Sequence, residues 1–310
     1  MQMDGDESSN IEDRRGDSGY FGGGGGYGGM GGIPIPTGGG GGIFKGGLGF
    51  VAFIVIALIF GADPFALLGG GGTSSYEPAP TQTSRTAPRQ QPQQPAGDAE
   101  TQFVSRVLKS TEDVWTSAFR ELGRQYREPK LVLYRDATRT ECGVGQSAMG
   151  PFYCPADQRV YLDLAFFDDL ERRFRVPGQF PQAYVIAHEI GHHVQNLLGI
   201  SAKTEQMKER MSKRDANALS VRVELQADCF AGVWAHHAEA KWKFIEPGDV
   251  EAAMQTAAAI GDDMLQKRSQ GRVVPDSFTH GSSAQRQRWF STGLKNGTVS
   301  SCNTFSAAQL

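Results

Sequence analysis

Two stretches of this chain cannot fold on their own, and they fence off the part that can. Residues 1–42 are dominated by glycine, as in "YFGGGGGYGGMGG", and residues 69–99 are rich in Gly, Pro, Gln, Ser and Thr, as in "PAPTQTSRTAPRQQPQQPAG". Neither carries enough apolar side chain to offset the entropy of ordering a chain. The first is expected to be disordered and the second a semi-extended linker. Of the 310 residues, only those from about Glu100 read as globular. The expected division is a Gly-rich segment at 1–42, an apolar run at 43–63, a linker at 64–100 and one folded domain at 101–310.

The apolar run, within "GGLGFVAFIVIALIFGAD", has no charge from Gly46 to Ala62. At ~1.5 Å per residue it spans roughly 26 Å, slightly short of a ~30 Å hydrocarbon core. Ile43 and Phe44 add length, Lys45 can snorkel outward, and Pro64 stops a helix. A cleaved signal peptide would begin near the N-terminus with a basic region and end at a small-residue cleavage site, and this run does neither. One transmembrane helix is expected. Lys45 is the charge that weighs most in the positive-inside rule, which directs the N-terminus to the cytoplasm and the domain outward, with membrane lipid as a partner.

The formal net charge is -3, with no basic run or nucleic-acid module signature, so nucleic acid is not an expected partner. The four cysteines form no C-x-x-C. Cys142 and Cys154 flank the turn-like "GVGQSAMGPFY", where a disulfide is plausible in an oxidising compartment. Cys229 with Cys302 is a candidate second pair, and buried free thiols are the alternative; connectivity does not follow from sequence.

Within the domain, residues 103–126 place Val107, Val114, Trp115, Phe119 and Leu122 near helical spacing, which predicts an amphipathic helix. "KLVLYRD" at 130–136 and Val160–Leu164 read as strands, with a helix or irregular segment at 165–174. A helix is predicted over 181–198, opened by Pro181 and closed by Gly199. One long helix or two cover 202–240, and further helices cover 248–267 and 281–294. The fold class is α+β, mostly helical with a small sheet, preceded by the membrane helix.

The segment "AYVIAHEIGHHVQNLLG", 183–199, carries the chemistry. On a helix, i and i+4 share a face, so His188 and His192 can turn toward one ion. Glu189 lies within reach of a water on that ion, which is the H-E-x-x-H arrangement of two zinc ligands and a general base. Gly191 leaves room for close packing, and the apolar remainder of the helix is expected to be buried, where unpartnered imidazoles would be costly. A satisfied pair of core histidines is the bland reading. A third ligand is found by contrast: in "ANALSVRVELQADCFAGVWAHH", 216–237, Glu224 and Asp228 are carboxylates at i and i+4 in an otherwise apolar helix. Glu224 is assigned as third ligand and Asp228 as acceptor of a ligating histidine's N–H. The swapped roles, and an ordinary salt bridge to Arg222, are the alternatives. His193 projects away from His192 and reads as structural; His236 and His237 sit near a helix end and do not read as ligands.

These segments resemble metallopeptidases that bind zinc through His, His and Glu, in which the acidic helix reads E-x-x-x-D. "CGVGQSAMGPFYCPADQRVYLDL", "AHEIGHHVQ", "VELQADCFAGVWA" and "SFTHGSSAQRQRWF" are similar to the bacterial neutral zinc metallopeptidase family, and the resemblance covers nearly the whole chain. It implies a zincin-like peptidase domain with one Zn²⁺ per chain, a peptide or protein substrate, and a bacterial inner-membrane protein whose domain faces the periplasm or exterior. Glu189 would act as base toward a zinc-activated water. His280, with Tyr161 or Tyr184 as alternatives, would stabilise the oxyanion. "RVYLDL" either offers a free edge for strand addition or is internal. A catalytically inactive, zinc-stabilised envelope scaffold is the competing reading of the whole chain.

Overall fold

The computed structural model describes residues 1, 3, 5–17, 98–174 and 178–310. Strand β1 (Ile11–Asp13) comes first, and helix α1 (Ala99–Glu121) next. Asp98 caps α1, its side chain accepting from the Thr101 amide. Phe103, Val104, Val107, Leu108, Val114, Trp115 and Phe119 form the buried stripe of α1. Leu122, expected on that stripe, is 45% exposed because the helix has already ended and Leu122 serves as its C-cap.

Strands β2 (Lys130–Tyr134), β3 (Ala137–Thr140), β4 (Gly143–Gln146), β5 (Phe152–Cys154) and β6 (Arg159–Asp163) follow. The main sheet has the order β1-β2-β6-β5. β1 and β6 run parallel to β2, and β5 runs antiparallel to β6. Leu131, Val132, Leu133 and Tyr134 of β2 are all buried, as expected for a central strand covered on both faces. β6 sits between β2 and β5, so "RVYLDL" is internal and the edge belongs to β5. β3 and β4 form a hairpin whose turn is joined to β5 by the Cys142–Cys154 disulfide.

The helical layer consists of α2 (Ala165–Phe174), α3 (Gln179–Leu197), α4 (Ile200–Lys208), α5 (Lys213–Trp242), α6 (Asp249–Ala259), α7 (Asp262–Gln270) and α8 (Ser283–Asn296). The mostly helical α+β class is what the sequence predicts. The helix expected over 248–267 is two, because the chain is extended at Gly261, where a Cβ would lie 2.5 Å from the Ser283 amide nitrogen. α5 and α8 cross at Gly232 and Gly293: a Cβ on Gly293 would lie 1.9 Å from the Cys229 carbonyl oxygen. The Cys229–Cys302 disulfide fastens α5 to the chain just beyond α8.

Two expectations need correction. Ile11–Asp13, counted in the unstructured 1–42 segment, pair in register with Leu131–Leu133 and complete the sheet. Ile11, the one apolar residue of this strand, packs against the core and lies before the glycine tract. The membrane-spanning helix and single-pass membrane location also fail to find support. Among the described residues no helix is long and apolar enough to cross a membrane. The run 43–63 itself lies outside the described residues.

Candidate metal centre

The centre is built where α3 packs on α5. Gly191, between the two motif histidines, makes the approach possible: a Cβ there would lie 3.0 Å from the Ala227 carbonyl oxygen. This brings His188 and His192 of α3 to Glu224 of α5. His188 Nε2 lies 3.2 Å and His192 Nε2 3.5 Å from the same oxygen, Glu224 Oε2. All three ligand atoms fall within 4.8 Å of one another. Four-coordinate zinc with bonds of about 2.0–2.2 Å holds its ligand atoms about 3.3 Å apart, so the spacing and the N, N, O donor set both fit that ion.

The other ring nitrogens are held from behind. His188 Nδ1 lies 2.9 Å from Asp228 Oδ1, and His192 Nδ1 lies 2.9 Å from Gln195 Oε1. Gln195 is fixed in turn by donating to the Val223 carbonyl and to Gln226 Oε1. With Nδ1–H donated to these acceptors, each Nε2 presents a lone pair to a metal. Burial opposes charge on His188, but the charge and hydrogen bond of Asp228, with Glu224, push it up to about 10. Burial also opposes charge on Glu224, yet His192, His280 and His188 hold it well below the ordinary carboxylate range. The pocket therefore keeps an ionised carboxylate directed at the point where a cation would sit.

Glu189 is 8% exposed, and among the described residues it makes no hydrogen bond. Burial raises its pKa, against the pull of His192 and His188. His280 precedes α8 in a loop that lies against α5: a Cβ on Gly281, whose φ is +95°, would lie 3.1 Å from Leu225. Its Nδ1 faces Thr279 Oγ1 at 3.1 Å and Asp262 at 3.5 Å, and its charge is felt by Glu224. Of the alternatives to His280, Tyr161 donates to Asp157 at 2.7 Å, and Tyr184 donates to Asp228 at 2.5 Å. Both hydroxyls are thus engaged away from an incoming substrate.

The remaining histidines stand apart from the ligand set. His193 is fully buried, with Nδ1 at 3.0 Å from the Tyr153 hydroxyl and Nε2 at 2.6 Å from the Arg127 carbonyl, and burial lowers its pKa to about 4. It ties α3 to β5. His236 and His237 contact the Leu294 and Gly297 carbonyls near the end of α8. Three residues of the centre were not picked out from sequence. Gln195 lies three residues beyond His192 and looks like an ordinary helical amide. Arg286 grips Asp228. Asp262 accepts the backbone amides of Thr279, His280 and Gly281 at 2.7, 2.7 and 3.0 Å. The one available signal for Asp262 was its place immediately after a glycine that breaks a helical pattern.

Over residues 1–305 the sequence matches the family described as "Putative neutral zinc metallopeptidase". It is 48% identical over 301 residues to "Uncharacterized protein YpfJ" of Escherichia coli (strain K12), covering 96% of each chain. It is 38% identical over 264 residues to "Uncharacterized protein Rv2575" of Mycobacterium tuberculosis, covering 82% of this chain and 86% of the other. No solved structure matches.

Proposed function

We propose that this chain, which belongs to the neutral zinc metallopeptidase family, hydrolyses peptide bonds in a peptide or protein substrate, with one zinc held by His188, His192 and Glu224. The observation that carries the reading is Glu189. A carboxylate that makes no hydrogen bond among the described residues, with its pKa raised by burial, beside three converging ligand atoms, is available to take a proton from a water held there. A purely structural zinc site closes with four protein ligands and has no use for it.

Zinc, when bound, supplies Lewis acidity and brings the pKa of a coordinated water toward ~7. Glu189 accepts a proton at its carboxylate during attack on the carbonyl and returns it to the departing amine. His280, with Nδ1 occupied, offers Nε2–H to the developing oxyanion. Asp228 and Gln195 keep the two ligating rings in the tautomer that leaves Nε2 open. The unpaired side of β5 gives an extended peptide a strand to lie along.

The test uses the full chain and an unfolded protein as substrate. Cleavage that stops with a chelator and returns with zinc supports the reading. Cleavage should fall by ~10²–10⁴-fold in Glu189→Gln, with zinc content retained. Undiminished cleavage by that variant rules out the assigned base, and zinc-dependent folding without any hydrolysis rules out the enzyme.

A further inference from the structure

The buried side of the metal centre contains a charge that this chemistry does not use. Arg286, in the first turn of α8, is 3% exposed. Its Nε donates to Asp228 Oδ2 and its Nη2 to Asp228 Oδ1, both at 2.8 Å. Nη2 also lies 3.3 Å from the Tyr184 hydroxyl, and Nη1 donates to the Ile260 carbonyl at 3.3 Å. Asp228 Oδ1 additionally receives Tyr184 at 2.5 Å and faces His188 Nδ1 at 2.9 Å. Asp228 itself is fully buried, and these three side chains are its side-chain hydrogen-bond partners among the described residues.

We propose that Arg286 is a positioning residue of the metal centre: its two-pronged grip, with Tyr184, fixes the plane and charge of Asp228, which then holds His188 with Nε2 toward the ion. The proposal rests on the reading of His188 as a zinc ligand. A buried carboxylate without a countercharge either takes up a proton or turns toward another donor, and in both cases its hold on His188 weakens. A planar guanidinium fixes the carboxylate's orientation through two parallel N–H bonds, whereas an ammonium supplies charge without that orientation. A plain staple between α8 and α5 is the competing role. Those helices already meet at the Gly232–Gly293 crossing, the Cys229–Cys302 disulfide fastens α5 to the chain just beyond α8, and a buried ion pair adds little to stability over apolar packing.

The experiment compares wild type, Arg286→Met and Arg286→Lys in the full chain. Zinc affinity is read by competition with a chromophoric chelator, the ligand field by the visible spectrum of the Co²⁺ form, and folding by the Tm of the metal-free protein. Arg286→Met should weaken zinc binding by about 10- to 100-fold and alter the Co²⁺ spectrum, with Arg286→Lys in between. A folded Arg286→Met with wild-type affinity and spectrum overturns the proposal and leaves only the staple. If Arg286→Met does not fold, Arg286→Lys decides: weaker zinc binding in a folded protein supports positioning, and unchanged binding overturns it. A wild-type protein that binds no zinc removes the metal-centre reading first, and the proposal with it.

Discussion

At the scale of single residues, the centre divides by how far apart its partners lie in sequence. His188→Ala removes one of the three proposed ligands and should abolish stoichiometric zinc, measured by metal analysis after dialysis; full retention would refute the ligand set. Asp262→Asn replaces the charged acceptor of three backbone amides with a weaker one. It should lower kcat about 10- to 100-fold with zinc content unchanged, since misplacing His280 by about 1 Å has that order of effect. His188, Glu189 and His192 were legible because one helical turn relates them. Glu224 and Asp228 were legible because carboxylates in an apolar helix stand out. Arg286 and Asp262 were not, because their partners lie 58 and 17 to 19 residues away and nothing local separates them from surface charges.

At the scale of elements, helices with strong apolar periodicity were readable, and the exceptions have local causes. Gly261 divides one expected helix because its backbone must let the Ser283 amide approach. β1 was unreadable because three residues beside a glycine tract carry no periodicity, and its pairing depends on a strand far along the chain. Its docking makes a pH prediction. Asp98 loses some stabilisation to burial, but Thr101 and Arg15 hold its pKa down to about 2. A depressed carboxylate stabilises the fold above its unfolded pKa of ~3.9 and loses that contribution as pH falls toward 2. Asp98→Asn should therefore flatten the acid side of the stability curve between about pH 4 and pH 2, read by thermal melts. The change should be small, because Asp98 is 41% exposed and solvent screens it. An unchanged slope would mean that Arg15 and Asp98 do not hold the segment.

At the scale of the whole molecule, the Cys229–Cys302 bond joins positions 73 apart in sequence and closes a loop that begins within the helix carrying Glu224 and Asp228, just after Asp228. Replacing both cysteines with serine should cost about 2–4 kcal/mol in denaturant unfolding, chiefly by freeing the unfolded chain. A change below ~1 kcal/mol would show that packing alone carries that part of the fold. The sequence assigned the folded unit to residues 101–310, whereas the sheet also takes in 11–13, and this has a consequence during synthesis. Ile11 pairs with Leu131, 120 residues later. At ~5–20 residues per second, the first strand to leave the ribosome waits roughly 6–24 s for its partner to be made. Throughout that interval β2's future neighbour is a free peptide. A chain started at residue 98 would never receive it, and would leave the β2 edge open to whatever strand arrives next.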